Sequence, residues 1–557
     1  MSDEFPLLAP LPPLALHPSL KPEQLDAATI TGGWLSSLAE SLQKGQPEEA
    51  LDHFLDKESW WRDFISLSWD ITSLNGAEAI SNYICNSEAG LTELKADQPG
   101  ALQPHLEDLG GLKFIQSGFS FKSKFGDGRG IVRLANVEPD QWKAWTVFTM
   151  LEHLVDEGTA KTEETEEVDG TSGASNHEAS TPDIHSDALQ VLIIGAGQSG
   201  LALAAHLQEL GLRYLVVDKA ERPGDSWRAR YDTVKLHTPL FGDHYPFLKY
   251  PTNWPRYLDQ EHVIKWMEHY GQIMGLNIKH STLATNVVYN ESQQRYSVEL
   301  VRKDGVQAIN PKHVVLATGL FSDIPIRPNF PGEESFKEKK ITIIGSGTSA
   351  HDIAQNFVNH GAENVTMVQR GKIFVVSRDS LEDFALPLWK TPGLSTEDAD
   401  LLGNSLSIPV VRTLSVGGSQ MMSMKDKVML DGLEKAGLVV KRGDGGDSII
   451  DHQIFKTGHF YIDQGACQMI IDGQIKVQRC ESGVQEYYPD GIVLGDDTKI
   501  ESDMIILATG FELCTKIVER IMGPEVRDKV GDICGLNESQ ERNGAKYDQR
   551  GSIDDKA

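Results

Sequence analysis

The chain has 557 residues, 40% of them hydrophobic and 24% charged, a length that suits roughly three to four domains. Its 52 Lys and Arg residues against 81 Asp and Glu residues give a net charge of −29, and such a surface repels phosphate backbones and anionic lipids. We therefore expect neither nucleic acid nor a membrane as a partner.

The cysteines and the apolar runs indicate the compartment. Five cysteines are too few and too scattered for a disulfide framework, and no Cys/His group has the spacing of a metal site. No apolar run reaches the about 18–20 residues that a membrane span needs. We expect a cytoplasmic protein without a metal.

The first predicted segment is a disordered arm, residues 1–32. It begins MSDEFPLLAPLPPLALHPSLKP, which lacks a basic start and has an apolar run interrupted by prolines. This composition is not that of a signal peptide.

A separate α+β domain is predicted for residues 33–155. The stretch LAESLQKGQPEEALDHF predicts two amphipathic helices, and WDITSLNGAEAISNYI predicts a strand followed by a helix. Further on, LKFIQSGFSFKSKFGDGRGIVRLANV alternates apolar and polar residues, which predicts antiparallel strands joined at the Gly-Asp-Gly of residues 126–128. Trp60, Trp61 and Trp69 either line a ligand pocket or lie in the core or at an interface.

An acidic flexible linker is predicted for residues 156–188. The segment is rich in Glu, Thr, Ser and Gly and holds almost no large apolar residue. It cannot bury enough surface to offset its chain entropy.

A glycine-rich turn follows the linker and indicates a dinucleotide-binding fold. The strand VLII enters Gly195, Ala196, Gly197, Gln198, Ser199 and Gly200, and a helix and a second strand follow. Gly195 permits the tight turn, Gly197 lets the backbone approach a pyrophosphate, and Gly200 lets helix and strand pack closely. Asp218 ends the second strand and suits the ribose of FAD or NAD, with Lys219 beside it as a further candidate contact.

A second turn of the same kind lies further along the chain. After the strand KITII come Gly345, Ser346, Gly347, Thr348, Ser349 and Ala350. The strand beyond this turn ends in Gln369 and Arg370 and carries no acid. An arginine there either pairs with the 2′-phosphate of NADPH or is an ordinary exposed residue at a strand end. We predict that the first turn holds FAD and the second holds NADPH.

Two further strands end in the same tripeptide. HVVLATG contains Ala317, Thr318 and Gly319, and MIILATG contains Ala508, Thr509 and Gly510. We interpret them as the points where the chain crosses between two Rossmann-like α/β domains. The predicted FAD-binding domain is residues 189–324 and 500–557, with the NADPH-binding domain, residues 325–499, inserted in it.

The stretch ERPGDSWRARYDTVKLHTP resembles the flavin-containing monooxygenases, in the branch of the plant YUCCA enzymes and their fungal relatives. GSGTSAHDIAQ and GHFYIDQGA are similar to the fungal members, several of which carry an NTF2-like front domain. SWDITSLNGAEAI in this chain resembles that NTF2-like (SnoaL-like) cone. The resemblance covers about residues 189–547 and implies that Trp227, Leu236, His237 and Thr238 contact the flavin. For His237 we favour a loop histidine that packs beside the site without transferring a proton, whereas Trp227 is equally a packing residue or a support for the flavin.

The resemblance implies an NADPH-consuming, FAD-dependent monooxygenase, as in N,N-dimethylaniline monooxygenase. It would insert one oxygen atom of O2 into a small organic substrate through a C4a-hydroperoxyflavin, and secondary metabolism is the expected setting. No catalytic acid or base is named, and a homodimer is left open.

The chain departs from the family pattern at two places. The F-x-G-x-x-x-H signature is absent between Gly319 and Gly345, and the polar ending DQRGSIDDKA replaces a flavin-capping segment. The alternative is therefore a catalytically decayed or truncated relative that binds a nucleotide or another ligand.

Two other classes of enzyme fit the sequence less well. A flavin disulfide reductase needs a redox C-x-x-C, which the sequence lacks, and an NAD-dependent dehydrogenase needs only one glycine turn. Residues 379–424 are either a substrate-gating insertion or a helical excursion packed on the NADPH domain.

Overall fold

A computed structural model describes residues 5–155, 189–231, 233–320 and 336–544. The predicted linker, residues 156–188, lies outside the described residues. The chain divides into two compact units. Unit 1 contains the described part of Met1–Ser180 with Leu386–Gly418 and Gly535–Asn543, and unit 2 contains the rest.

The elements are numbered in chain order. The α-helices are α1 Ala27–Lys44, α2 Pro47–Ala50, α3 Ala77–Asn86, α4 Gln198–Glu209, α5 Asp225–Arg228, α6 Gln260–Ile273, α7 Thr348–Asn359, α8 Arg378–Phe384, α9 Thr396–Asn404, α10 Ile408–Lys425, α11 Lys427–Lys435, α12 Ile449–Phe455, α13 Ala466–Ile471, α14 Thr515–Met522 and α15 Pro524–Val530. The strands of unit 1 are β1 Trp60–Phe64, β2 Ile71–Asn75, β3 Thr92–Ala96, β4 His105–Leu109, β5 Leu112–Ser123, β6 Gly126–Glu138 and β7 Gln141–Leu154. The strands of unit 2 are β8 Val191–Ile194, β9 Tyr214–Val217, β10 Ile278–Lys279, β11 Leu283–Asn290, β12 Arg295–Arg302, β13 Gly305–Ile309, β14 His313–Leu316, β15 Lys340–Ile344, β16 Asn364–Gln369, β17 Ile373–Val376, β18 Val440–Lys441, β19 Phe460–Ile462, β20 Ile475–Arg479, β21 Val484–Tyr488, β22 Gly491–Leu494, β23 Lys499–Glu501 and β24 Met504–Leu507.

Unit 1 is an α+β fold in which helices pack on a seven-stranded sheet. The sheet order is β2-β1-β7-β6-β5-β3, with β4 beside β5, and the pairing is antiparallel except between β1 and β7. Helix α1 starts where Asp26 accepts a hydrogen bond from the Thr29 amide at 3.1 Å, and it buries Trp34 and Leu38 in the core. The strands β5 and β6 meet at residues 124–125, so the predicted Gly-Asp-Gly turn lies inside β6 instead.

The tryptophans of unit 1 differ in exposure. Trp61 is fully buried and Trp60 is 7% exposed, so both belong to the core. Trp69 is 55% exposed and lies 4.4 Å from the ring of Phe125.

The N-terminal arm differs from the prediction of disorder. Ala9 and Leu14 are buried in a cluster with Trp145, and the Leu14 carbonyl accepts a hydrogen bond from the Lys113 amide at 2.9 Å. The prolines that interrupt helix formation leave apolar side chains free to pack from an extended chain.

Two distant segments return to unit 1, which corrects the predicted domain boundaries. Leu386–Gly418 contributes Leu401 and Leu402 to a cluster with Phe148, so the middle of the predicted 379–424 excursion belongs to unit 1. The ends of that excursion, with Leu381 and Met422, pack in the second body as one of the two alternatives predicted. From Gly535–Asn543, the Glu541 carboxylate accepts two hydrogen bonds from the Arg62 guanidinium, at 2.6 and 2.8 Å.

Unit 2 begins with a dinucleotide-binding body, here called the first body, residues 189–320. Its parallel sheet has the order β10-β9-β8-β14, and β11, β12 and β13 form an antiparallel sheet that precedes β14. All four residues of β8 and of β9 are buried, as expected for the central strands of a parallel sheet covered on both faces.

The second body, residues 336–385 and 419–510, repeats this plan. Its parallel sheet has the order β20-β16-β15-β24, and β21, β22 and β23 form an antiparallel sheet that precedes β24. The strand β24 pairs with β15, so the prediction that residues 500–557 return as one piece to the FAD domain is wrong. Ile521 and Met522 of α14, beyond that strand, do pack against the first body, on the cluster that includes Ala284 and Val287.

Candidate functional site

The first glycine turn lies at the topological switch point of the first sheet. The strands β9 and β14 flank β8 on opposite sides, and in such sheets ligands bind where neighbouring connections leave in opposite directions, at the carboxyl ends of the strands. Gly195 has a φ of +114°, and a Cβ there would lie 2.3 Å from the Ala317 carbonyl oxygen. The turn and the first Ala-Thr-Gly are thus packed together, and a side chain at residue 195 would separate them.

The middle glycine of the first turn has a different environment. Gly197 is the N-cap residue of α4, and no side chain binds the first amides of the helix there. A Cβ at Gly197 would meet nothing within 4 Å. The first amides of α4 have no intrahelical partner and carry the positive end of the helix dipole. The described residues therefore leave an open approach to a helix N-terminus, which fits a pyrophosphate.

Asp218 lies at the end of β9 and faces the first turn. Its carboxylate accepts hydrogen bonds from the amides of Ala196 and Ala220, both at 2.7 Å. A carboxylate has about four acceptor positions, so ribose hydroxyls can be bound in addition. Lys219 is exposed beside it.

The stretch predicted to contact the flavin is tied to the first turn by a residue that the sequence did not indicate. Asp243 accepts a hydrogen bond from Gln198 at 3.1 Å and another from Thr238 at 3.1 Å. Leu236 packs against the core of the first body. Asp243 brings the predicted residues of helix α4 and of the 236–238 stretch together.

Trp227 is half-buried and packs on the first body. The guanidinium of Arg230 lies 5.2 Å from the centre of its ring. This cation–π contact and the packing hold the indole in place.

The second glycine turn repeats the first. Gly345 has a φ of +125°, and a Cβ would lie 2.2 Å from the Ala508 carbonyl oxygen. A Cβ at Gly347, which caps α7, would meet nothing within 4 Å. The Thr348 hydroxyl donates to the Phe460 carbonyl at 2.7 Å and so holds the turn against β19. Ser346 and Ser349 are half-buried in the same turn.

Each Ala-Thr-Gly closes the turn of its own body. The Ala317 amide donates to the Ile194 carbonyl at 2.8 Å, and the Ala508 amide donates to the Ile344 carbonyl at 2.9 Å. The neighbouring residues Thr318 and Gly319, like Thr509 and Gly510, are not buried. Each tripeptide thus closes the turn of its own body. The interpretation of both as crossing points agrees with the chain order, because Phe336, the next described residue after Leu320, lies in the core of the second body, and Ile521 and Met522, beyond Gly510, pack on the first body.

The strand end that was predicted to select NADPH has a buried and an exposed residue. The Gln369 side chain is buried and exchanges two hydrogen bonds of 2.8 Å with the backbone of Val439. Arg370 is exposed at the carboxyl end of β16, the neighbour of β15. The residue before Arg370 is therefore a glutamine that binds the Val439 backbone, and this strand end carries no acid.

His237 lies at a junction of the two bodies. Its Nε2 is 3.4 Å from Oδ2 of Asp352 on α7, and Tyr231 donates a hydrogen bond to the same oxygen at 2.8 Å. Burial raises the pKa of Tyr231, with Asp352 adding to the shift. The sequence pattern assigned a role to neither residue, although Tyr231 lies in ERPGDSWRARYDTVKLHTP and Asp352 in GSGTSAHDIAQ.

A second histidine is buried beside the glycine turn of the second body. His351 is fully buried, stacks on Tyr461 with ring centroids 4.1 Å apart, and its Nδ1 is 3.0 Å from the Gly347 carbonyl oxygen. Burial lowers the pKa of His351, so the ring is neutral near pH 7 and its Nδ1 donates to the carbonyl. Its Nε2 has no hydrogen-bond partner among the described residues.

Within the described ranges, no group of three or more His, Cys, Asp or Glu side chains is arranged to hold a metal ion, and no helix is long and apolar enough to cross a membrane.

Residues 192–383 match the model of a family described as pyridine nucleotide-disulphide oxidoreductase. The chain is 26% identical over 343 residues to the probable indole-3-pyruvate monooxygenase YUCCA3 of Arabidopsis thaliana, covering 58% of this chain and 72% of that protein. It is 26% identical over 338 residues to the indole-3-pyruvate monooxygenase YUCCA1 of Oryza sativa subsp. japonica, covering 58% and 76%.

Solved structures with some similarity are also monooxygenases. Cyclohexanone monooxygenase from Rhodococcus sp. Phi1 bound to NADP+ aligns with a TM-score of 0.42 and 18% identity over 60% of this chain and 72% of that one. The polycyclic ketone monooxygenase of Thermothelomyces thermophila aligns with a TM-score of 0.46 and 17% identity over 61% and 65%.

Proposed function

We propose that this chain, a homologue of the flavin-dependent monooxygenases, binds FAD at its first glycine turn and NADPH at its second. FAD and NADPH are the cofactors of that class. The proposed reaction consumes NADPH and O2 and transfers one oxygen atom to a small organic substrate. The centre that is oxygenated, whether nitrogen, sulfur or a carbonyl carbon, is left open.

One observation carries the proposal. Both glycine turns lie at a switch point, each is closed by its own Ala-Thr-Gly, and each is open at the middle glycine, Gly197 or Gly347. In each turn the open space lies directly at the N-terminus of a helix, where unpaired amides are available to a pyrophosphate. Two such turns in one unit suit a pair of dinucleotides, one of which reduces the other.

The proposed FAD contacts are the residues around the first turn. The amides at the start of α4 face the pyrophosphate, and Asp218 binds ribose hydroxyls. Trp227 and the stretch Leu236–Thr238 lie beside the flavin ring and keep water away from it.

The proposed NADPH contacts are those of the second turn. The amides at the start of α7 face its pyrophosphate, and Arg370 pairs with the 2′-phosphate. The absence of an acid at this strand end supports NADPH over NADH, because a carboxylate would repel that phosphate.

FAD supplies the redox and oxygen chemistry when it is bound. The residues of the chain bind the two cofactors, orient them and exclude water, and no side chain is assigned as a catalytic acid or base. For unit 1 we propose an NTF2-like fold, supported by the helices packed on one seven-stranded, mostly antiparallel sheet. A homodimer and a cytoplasmic location stay predictions.

The test is a visible absorption spectrum of the full chain, reconstituted with FAD and then mixed with NADPH without oxygen. We expect a bound flavin spectrum that bleaches with NADPH much faster than with NADH. Absence of bound flavin after reconstitution would contradict the proposal and favour a decayed relative.

A cysteine series separates this proposal from a disulfide reductase. The variants Cys467→Ser, Cys480→Ser, Cys514→Ser and Cys534→Ser are expected to keep the rate of NADPH-dependent flavin reduction and of NADPH oxidation in air. Loss of NADPH oxidation in air with unchanged flavin reduction would indicate electron transfer to a cysteine pair.

A further inference from the structure

Two buried carboxylates of the second body receive hydrogen bonds from the first body. Asp352 on α7 is 4% exposed, and Tyr231 and His237 reach its Oδ2 from the first body. We call Asp352, Tyr231 and His237 the Asp352 cluster.

The second carboxylate, on α8, is built in the same way. Glu382 is 2% exposed; its Oε1 accepts a hydrogen bond from Tyr257 at 2.7 Å, and its Oε2 accepts one from Arg256. The guanidinium of Arg378 lies 5.1 Å from the centre of the Tyr257 ring. Both carboxylates therefore combine a tyrosine hydroxyl with a basic side chain.

Burial makes these contacts specific for one arrangement of the two bodies. A carboxylate removed from water is unfavourable unless donors compensate for the lost hydration. The donor Tyr231 and the imidazole of His237, 3.4 Å from Oδ2, belong to the first body, whereas Asp352 belongs to the second. If the bodies shift by a few ångströms, Asp352 loses those partners, so the contacts favour the observed alignment over others.

The Asp352 cluster also connects the two proposed cofactor sites. Asp352 lies in the first turns of α7, the helix that starts at the second glycine turn. His237 lies between Leu236 and Thr238, and Thr238 is tied through Asp243 to helix α4 of the first turn. A short chain of side chains therefore runs from one glycine turn to the other.

We propose that Asp352 is a positioning residue that aligns the NADPH site with the FAD site for hydride transfer, with Glu382 holding the same junction at a second point. This inference rests on the proposed function. It assigns a role to three residues, Asp352, Tyr231 and Glu382, that do not contact either cofactor in the proposal above.

The first measurement is hydrogen–deuterium exchange on the full chain without cofactors, comparing wild type with Asp352→Asn. We expect about tenfold faster exchange in the peptides around Tyr231 and His237 and at the start of α7. The matched control is Asp426→Asn, because the buried Asp426 accepts hydrogen bonds of 2.7 Å from Ser377 and Ser380 of its own body. The control is expected to change exchange only near those serines.

The second measurement is flavin reduction by NADPH without oxygen, followed at several NADPH concentrations. Asp352→Asn is expected to lower the limiting rate about 10- to 100-fold, because a misalignment of about 1 Å has that effect on a positioned reaction. The dissociation constant of NADPH is expected to change less than about threefold. Tyr231→Phe, which removes one donor and keeps the ring, is expected to give a smaller loss of the same kind.

The outcomes separate this inference from the proposed function. Unchanged exchange around Tyr231 in Asp352→Asn would overturn the role of the cluster. An unchanged limiting rate with a raised dissociation constant of NADPH would overturn it too, because the residue would then act on binding and not on alignment. If the wild type binds FAD and NADPH but shows no reduction, the proposed function fails, and exchange alone then decides whether Asp352 joins the bodies.

Discussion

Alanine substitutions at Gly197 and Gly195 distinguish a cofactor site from a turn that is merely tight. Gly197 has a φ of −77°, which any residue adopts, and its Cβ would enter open space. Alanine is a poorer N-cap than glycine by up to about 1 kcal/mol, but it also restricts the unfolded chain, which returns about 0.4–1 kcal/mol. The two effects nearly cancel, so the thermal midpoint of the cofactor-free protein is expected to change by less than about 3 °C.

The FAD affinity of Gly197→Ala is expected to fall by much more. The methyl group would occupy the space through which a pyrophosphate approaches the first amides of α4. Loss of one or two hydrogen bonds to a charged group weakens binding by about 2–3 kcal/mol, which is about 30- to 150-fold in the dissociation constant. Quenching of flavin fluorescence during titration measures this change.

Gly195→Ala is the matched comparison in the same turn. Its φ of +114° is unfavourable for alanine, and the new Cβ would lie 2.3 Å from the Ala317 carbonyl oxygen. Backbone strain and overpacking together are expected to destabilise the first body by about 3–4 kcal/mol, or about 6–16 °C in its thermal midpoint.

If Gly197→Ala bound FAD as tightly as the wild type, the first turn would not be a pyrophosphate site and the reasoning would be refuted.

The remaining predictions concern three other residues. Arg370→Gln is expected to raise the dissociation constant of NADPH about 10- to 100-fold and to leave that of NADH unchanged, because only NADPH has the 2′-phosphate; an equal effect on both would contradict this role. Burial lowers the pKa of His351 below its usual 6.5, so the unfolded chain takes up the proton at a higher pH than the folded chain. The second body is therefore expected to lose stability as the pH falls below about 6.5, by at most about 1.4 kcal/mol per pH unit, and thermal unfolding between about pH 8 and pH 5.5 should show a smaller loss in His351→Gln. Glu541→Ala leaves the buried Arg62 guanidinium without its carboxylate, which is expected to destabilise unit 1 by about 3–5 kcal/mol and to lower the midpoint of its tryptophan fluorescence transition by at least about 6 °C; a midpoint within about 2 °C of the wild type would show that the pair adds nothing.

Several parts of the fold follow directly from local patterns. The glycine turns could be predicted because strand, turn and helix are adjacent in the chain, and because Gly195 and Gly345 need a backbone angle that other residues avoid. The strands β8 and β15 are short apolar runs next to those turns, and their burial follows from their composition.

Other parts depended on contacts that no local pattern contains. The pairing of β24 with β15 places Ala508 on the second turn, although the tripeptide in its sequence is the same as the one at Ala317. The N-terminal arm reads as disordered because its prolines prevent helices, yet Ala9 and Leu14 are buried by partners far along the chain.

The sequence by itself determined the two dinucleotide turns, the strand ending in Asp218 and the strand ending in Arg370, since each of these is a property of about ten consecutive residues. Only the tertiary structure decided which Ala-Thr-Gly closes which turn and where Leu386–Gly418 packs. It also decided that the Asp352 carboxylate accepts a hydrogen bond from Tyr231 and lies beside His237. The physical reason is that a buried carboxylate requires hydrogen-bond donors and an apolar segment requires other apolar surface. The residue type shows this requirement, but which residues meet it depends on the surfaces that the folded chain brings together.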